Sequence, residues 1–434
     1  MTNPPSPNDL VIGSIVDMAG VMRAKVVPSS RLDSFVKSGM GASPTWTVFC
    51  VDDAIAFSPS FTVAGDLRLH IATEDLRDLG GGTRWAPARF TNQDGSPFPG
   101  CTRSALDRAV NRLASAGISA LIGHEIEFTL FDATEPQLWA AYGLSSVLST
   151  EGFLTDLLEA AQLAGVPIEQ VHAEYGHNQF EIALGPAEPL RAADNMVLAR
   201  IVISRTARKH GMRASFSPVP VAGGSGNGAH QHLSLTRDGA PLFSGGEGPY
   251  GLSDDGASAI AGLVTRLPEF MAALASSAVS ALRLQPGMWS GAYCCWGLEN
   301  REAAVRFCAA TLGNPKGANV EVKAVDPSAN PYLSSAAILG MAASGIEQGL
   351  ALPPEVRVNP ADLSEEERIA SGAWLLPTTQ PQMLSSIAGS ELAREIFGDL
   401  VLEALIAVKQ HEVDTFAHLP VEQTIERLRF RWSA

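Results

Sequence analysis

Gly223-Gly224-Ser225-Gly226-Asn227-Gly228-Ala229-His230-Gln231-His232-Leu233-Ser234-Leu235 runs from a small-residue loop directly into two histidines. Five of its first six residues are Gly or Ser, so this backbone can approach a ligand closely and adopt positive φ. His230 and His232, with Leu233 and Leu235 behind them, read as a strand, which puts residues i and i+2 on one face. Alone, the stretch is a glycine loop with two surface histidines. Carboxylates and arginines elsewhere turn it into a candidate meeting point of a metal and an anion.

Working outward, Glu125 and Glu127 lie two apart in an apolar strand pattern and therefore share a face. Like charges side by side are unfavourable unless a cation lies between them. Val171-His172-Ala173-Glu174 and Gln179-Phe180-Glu181-Ile182 place two more carboxylates on either side of a turn, and Glu321 lies inside a β-branched strand. Five such glutamates plus His230 furnish two sites of three protein ligands each. Oxygen with imidazole suits magnesium or manganese better than zinc. Arg283, Arg301, Arg306, Lys316 and Lys323 supply candidate grips for phosphate or carboxylate, though any one of them alone reads as a surface ion-pair partner. There is no Gly-Lys pair, hence no Walker A loop, and the loop Gly224–Ala229 leads into a strand rather than the helix a dinucleotide fingerprint needs.

The 434 residues are 46% hydrophobic and 18% charged, enough for a sizeable core and against disorder. A net charge of -15 argues against nucleic-acid binding. The five cysteines lack zinc spacing or an even count, which fits a reducing compartment. No signal peptide is read at the start, and the apolar run around Ala336–Ile346 is too short for a bilayer, so a cytoplasmic protein without membrane contact is expected. Residues 1–9 are expected to be a disordered tail, 10–100 a small, mostly β N-terminal domain, and 101–434 a larger second domain. In the first domain strands are predicted at Leu10–Asp17, Arg23–Val27, Trp46–Cys50 and Leu67–Ile71, with a helix at Arg31–Ser38. Thr102 is expected to cap the helix that opens the second, and Arg213–Pro220 to be a strand. Strands interleave with helices without regular βαβ spacing, so the fold class is α+β.

Taken in order, these motifs resemble the glutamine synthetase family. The resemblance rests on Glu125-Ile126-Glu127-Phe128, Glu174 with Glu181, the glycine loop with His230, His232 and Ser234, Asn300-Arg301 with Arg306, and Asp326-Pro327-Ser328-Ala329-Asn330-Pro331. It implies a β-grasp-like N-terminal domain, a catalytic domain with a curved antiparallel sheet and helices, and a homo-oligomer of stacked rings. The ring would be a dodecamer with active sites between subunits. It implies ATP-dependent amide formation through γ-glutamyl phosphate with two or more Mg2+ or Mn2+ ions. One ion would sit with Glu127, Glu174 and Glu181, the other with Glu125, His230 and Glu321. Arg301, Arg306 and Lys316 match phosphate contacts, and His232 and Ser234 fall near the nucleotide. Arg283 matches the grip on glutamate's α-carboxylate and Gly226 the loop that cradles the amino acid.

The departures from the family point to the substrate. Trp289, in Pro286-Gly287-Met288-Trp289-Ser290, stands where glutamine synthetases carry a flap glutamate, and the ammonium-binding aspartate has no match around Gly39–Pro44. Losing both anions and gaining an indole favours an organic, alkyl or aromatic amine over ammonium. Ser225 replaces an asparagine and Lys323 an arginine at the glutamate end. No tyrosine lies near Asn359–Leu363 for adenylylation. The expectation is a γ-glutamylamide ligase serving amine catabolism, with Arg283, Arg301 and Trp289 as its catalytic set. Glutamine synthesis from ammonia and a catalytically silent ring protein are the alternatives.

Overall fold

The computed structural model describes residue 6, residues 9–133 and residues 139–434. The tail expected over residues 1–9 falls mostly outside the described residues; Ser6 and Asp9 are described, the Ser6 N–H donating to Asp9 Oδ2 at 2.9 Å.

The first sheet is built from β1 (Leu10–Val16), β2 (Met22–Pro28), β3 (Met40–Ala42), β4 (Leu67–Ile71), β5 (Arg77–Asp78) and β6 (Thr83–Thr91). Its order is β2-β1-β6-β4-β3, with β5 also on β6. The helix expected over Arg31–Ser38 forms as Leu32–Lys37. β6 is hidden in the sequence because Pro87 interrupts it. The proline is tolerated because the antiparallel partner of β6 changes there: β5 pairs Arg84 and Trp85, and β4 pairs Ala88 to Thr91. The strand expected at Trp46–Cys50 is instead a 3-10 turn, Pro44–Thr47. The Ser43 hydroxyl accepts the Thr45 N–H at 3.2 Å, and Pro44 fixes a helical φ at its first position.

The second sheet holds β7 (Ile118–Phe131), β8 (Ile168–Ala173), β9 (Gln179–Leu184), β10 (Arg213–Ser215), β11 (Gln231–Arg237), β12 (Ala240–Pro241), β13 (Tyr293–Leu298), β14 (Ala303–Cys308), β15 (Asn319–Val322) and β16 (Trp374–Leu375). Its order is β16-β13-β14-β15-β11-β7-β9-β8, with β10 on β7 and β12 on β11. The β13–β14 pairing is parallel, so the sheet is mixed rather than wholly antiparallel. The strand expected over Arg213–Pro220 stops at Ser215. Thr102 is the first residue of the helix Thr102–Ser115, not its cap; its hydroxyl donates to the Val16 carbonyl at 3.2 Å and ties that helix to β1.

Alternation along β7 separates core from site. Ile122, Ile126 and Phe128 are buried, while Gly123, Glu125 and Glu127 take the other face. The helices Thr102–Ser115 and Pro189–Lys209 pack on β7, and Asp254–Leu274 packs on Pro331–Gln348. Asn330 caps this last helix by accepting the Tyr332 N–H at 2.9 Å, and its own amide donates to the Val16 carbonyl at 2.9 Å, joining the helix to the first sheet. The helix also anchors β11, since Ser334 Oγ accepts from Gln231 Nε2 at 2.6 Å and Ser335 Oγ donates to Gln231 Oε1 at 3.0 Å. Gln231 is thereby fixed toward the core, and its neighbours His230 and His232 toward the opposite face. Among the described residues Asp254–Leu274 is the one helix long and apolar enough to cross a membrane, but 67% of that stretch is buried inside the fold.

Gly262 and Gly345 let these two helices touch. A Cβ on Gly262 would lie 2.3 Å from the Met341 carbonyl oxygen and 2.8 Å from Gly345 Cα, and backbone there cannot yield. Gly262→Leu is therefore expected to destabilise the fold by at least about 1–3 kcal/mol. Gly389→Ala, which meets only ordinary contacts, should leave the thermal midpoint unchanged or raised. Thermal unfolding of both variants checks this, and equal midpoints would contradict the packing account.

Candidate active site

Six strands aim their charged residues at one face. Glu127 stands opposite Glu181 across β7–β9, and His172 opposite Glu181 across β8–β9. His232 stands opposite Glu321 across β11–β15, and Arg306 opposite Glu321 across β14–β15. The end of the glycine loop is zipped to β7, because the Glu127 N–H donates to the Gly228 carbonyl and the Glu125 N–H to the His230 carbonyl, each at 3.0 Å. Gly228 has to be glycine. A Cβ there would lie 2.6 Å from His230 Nε2, 2.7 Å from Arg283 Nη2 and 2.9 Å from Glu127 Oε1.

The expected trio Glu125, His230 and Glu321 comes together. His230 Nδ1 is 3.1 Å from Glu125 Oε2 and 3.3 Å from Glu321 Oε1. His232, expected nearer the nucleotide, joins this group with Nε2 3.2 Å from Glu125 Oε1. In the other trio Glu174 and Glu181 gather around His172, whose Nε2 is 2.8 Å from Glu174 and 3.7 Å from Glu181. Glu127 turns toward Gln179, accepting its Nε2–H at 2.9 Å, and lies 3.9 Å from His230 Nε2. His172 and Gln179 were missed as site residues. The signal was present, since each precedes a site glutamate by two residues, Gln179 on the same strand as Glu181 and His172 at the end of β8 just before Glu174.

Charge explains the protonation of this cluster. Burial pushes the Glu181 carboxyl up, and Glu125, Glu127 and Glu174 push it further, well above the ordinary carboxylate range. Burial also acts against charge on Glu125, but hydrogen bonds from His230 and His232 outweigh it and hold that carboxyl low. Glu321 is fully buried, yet Lys323, His230 and His232 bring it down to about 2. Its oxygens accept from Lys323 Nζ and Arg306 Nη1, each at 3.1 Å. A carboxyl whose pKa is raised by burial and by neighbouring carboxylates, among oxygen and imidazole donors, is the arrangement a hard divalent cation relieves, so the residues present fit such ions.

The cationic groups divide into two sets. Arg283 is buried beside the cluster: Nη2 is 3.1 Å from His230 Nε2 and donates to the Lys323 carbonyl at 3.1 Å, while Nη1 is buried without a partner. Gly226 makes room for it, since a Cβ there would be 2.8 Å from Arg283 Cγ, and Ser225 lies at the Gly176 turn. Lys323 is committed to Glu321 rather than free for a substrate carboxylate. Arg306 keeps a buried, unpartnered Nε, and Ser234 Oγ donates to the Ala318 carbonyl at 3.4 Å. Arg301 and Lys316 are exposed and make no hydrogen bond or ion pair among the described residues. Trp289 is 58% exposed with φ at 52°, a conformation costing a bulky residue about 1–3 kcal/mol.

Below its raised titration point Glu181 holds a proton that an incoming cation has to displace. The affinity for Mg2+ or Mn2+ is therefore expected to rise with pH through that point and then level, with proton release on binding. Titration calorimetry in buffers of different ionisation heat checks this. Glu181→Gln should abolish the proton release, and pH-independent affinity of the parent protein would contradict the charge account.

Residues 99–428 match the glutamine synthetase catalytic domain. The chain is 35% identical to a γ-glutamylpolyamine synthetase, GlnA3, of Streptomyces coelicolor, over 97% of this chain and 93% of that protein. It is 29% identical to the glutamine synthetase of Pyrococcus abyssi over 93% of this chain and 91% of the relative. A crystal structure described as a novel glutamine synthase homolog superposes with a TM-score of 0.89 at 30% identity, covering 99% of this chain and all of the other. With the carboxylate–imidazole cluster and its order along the sheet, these matches make the chain a member of the glutamine synthetase family and an ATP-dependent ligase.

Proposed function

We propose that the protein joins the γ-carboxylate of glutamate to an organic amine, using ATP. A γ-carboxylate oxygen takes the terminal phosphoryl group and ADP departs. The amine nitrogen then attacks the acyl carbon, phosphate leaves, and the nitrogen loses a proton. Two or more Mg2+ or Mn2+ ions, held by Glu125, His230 and Glu321 and by Glu127, Glu174 and Glu181, would neutralise charge on the phosphates.

The chain's own residues bind and orient. Arg283 Nη1, buried and unpartnered, is a ready donor for the α-carboxylate of glutamate beside Gly226 and Ser225. Arg306 offers its spare Nε, and Arg301 and Lys316 their free charges, to phosphates, with His232 and Ser234 toward the nucleotide. Lys323 acts through Glu321. Trp289, Arg301 and Lys316 are all exposed in the single chain, which supports a site completed by a second copy in a stacked-ring dodecamer.

Trp289 is the observation that carries the amine assignment. An exposed indole held in a strained backbone cannot bind ammonium as a carboxylate would, but it gives an alkyl or aromatic amine an apolar wall. The relative named as a γ-glutamylpolyamine synthetase supports an organic amine as well.

Phosphate release with ATP, Mg2+ and glutamate should be greater with some organic amines than with ammonium; preference for ammonium would overturn the amine assignment. Trp289→Ala should shift the ranking of amines about tenfold while the ATP KM stays put; an unchanged ranking would remove Trp289 from the pocket. Glu321→Ala should cut turnover more than about a hundredfold, and near-normal turnover would remove it from the metal set.

A further inference from the structure

Glu302 immediately precedes β14, two residues before Ala304 and four before Arg306. It is 5% exposed. One carboxylate oxygen, Oε1, accepts the backbone N–H of Trp289 at 3.0 Å. The other, Oε2, is buried and has no hydrogen-bond partner. A buried anion with half of its acceptors unused is costly unless something cationic completes it, and among the described residues no ion pair does so.

The loop that bears Trp289 is pressed onto the same end of the site. A Cβ on Gly291 would lie 2.8 Å from Lys323 Cβ and 3.0 Å from Ala304 Cα, so Lys323, Ala304 and the loop share one corner. The Lys323 N–H donates to the Ala304 carbonyl at 3.0 Å, which fixes β15 against β14 there. Arg306, on the alternation that starts at Glu302, reaches Glu321. Glu302 thus stands at the backbone of Trp289, beside the strands that carry the cluster, with one oxygen holding the loop and the other buried and without a partner.

We propose that Glu302 is the specificity-determining carboxylate that receives the ammonium group of a cationic alkylamine, with Trp289 covering its hydrocarbon part. This rests on the amide-ligase reading above. An anion therefore stands in this corner although Trp289 itself and the stretch Gly39–Pro44 carry none. It is built into the strand entry rather than the loop tip, and it sits next to an apolar wall. Ammonium would satisfy the charge but leave the indole uncovered; an alkylammonium satisfies both.

The test compares kcat/KM for a linear diamine with that for hydroxylamine, which is uncharged at neutral pH, in the parent enzyme, Glu302→Gln and Glu302→Asp. The glutamine keeps an oxygen to accept the Trp289 N–H and loses only the charge. The diamine-to-hydroxylamine ratio should fall about tenfold or more in Glu302→Gln, through the amine KM, and recover at least partly in Glu302→Asp. An unchanged ratio in Glu302→Gln overturns the proposal. If Glu302→Gln yields no folded enzyme, inhibition of the parent decides. An unreactive quaternary alkylammonium should compete with the diamine while its neutral isostere does not, and equal inhibition by both overturns cation recognition. Failure of the ligase reading looks different, because the parent enzyme would then release no phosphate with any amine.

Discussion

Mutual repulsion among carboxylates is the constraint on which the site depends. Glu125, Glu127, Glu174, Glu181 and Glu321 are brought onto one sheet face by register, and the fold tolerates them only because each is answered differently. Glu321 is answered by Lys323 and Arg306, Glu125 by two histidines, Glu174 by His172, Glu127 by the Gln179 amide, and Glu181 by a carboxyl whose pKa is raised well above the ordinary range. Such a cluster contributes nothing to stability that apolar side chains would not provide better. Its arrangement makes sense as a receptor for cations that in turn hold anionic substrates.

The scaffold beneath makes that arrangement rigid. Gln231 is clamped by Ser334 and Ser335 of the core helix, which holds the backbone between the two histidines, and the rings themselves are held by Glu125 and Asn319. That helix is itself seated by the Gly262–Gly345 contact and by Asn330, which caps it and reaches across to β1. Precision at the carboxylate–imidazole face is thus traceable to small residues and a few buried polar bonds well away from it.

Much of the site was legible because strand periodicity survives in sequence. The pairs Glu125/Glu127 and His230/His232 stand on one face as their spacing implies, and Glu321 meets them through the β11–β15 register. What was not legible was tertiary. Pairing between β8 and β9 brings His172 to Glu181, and Gln179 reaches back to Glu127; neither bond follows from local pattern. β6 was hidden by a proline that is harmless only because of which strand lies beside it. Lys323 was expected to face substrate but is taken by Glu321, a burial effect that a sequence cannot display. Glu302 was invisible for the same reason, since only the structure shows one of its oxygens buried and unsatisfied.

The central claim is that an acyl phosphate of glutamate is captured by an organic amine. Incubating the enzyme with ATP, Mg2+, glutamate labelled with 18O in the γ-carboxylate, and equal amounts of ammonium and a linear diamine tests it directly by mass spectrometry. The account predicts that one 18O appears in each phosphate released and that the γ-glutamylated diamine exceeds glutamine. Unlabelled phosphate, or glutamine as the main product, would contradict it.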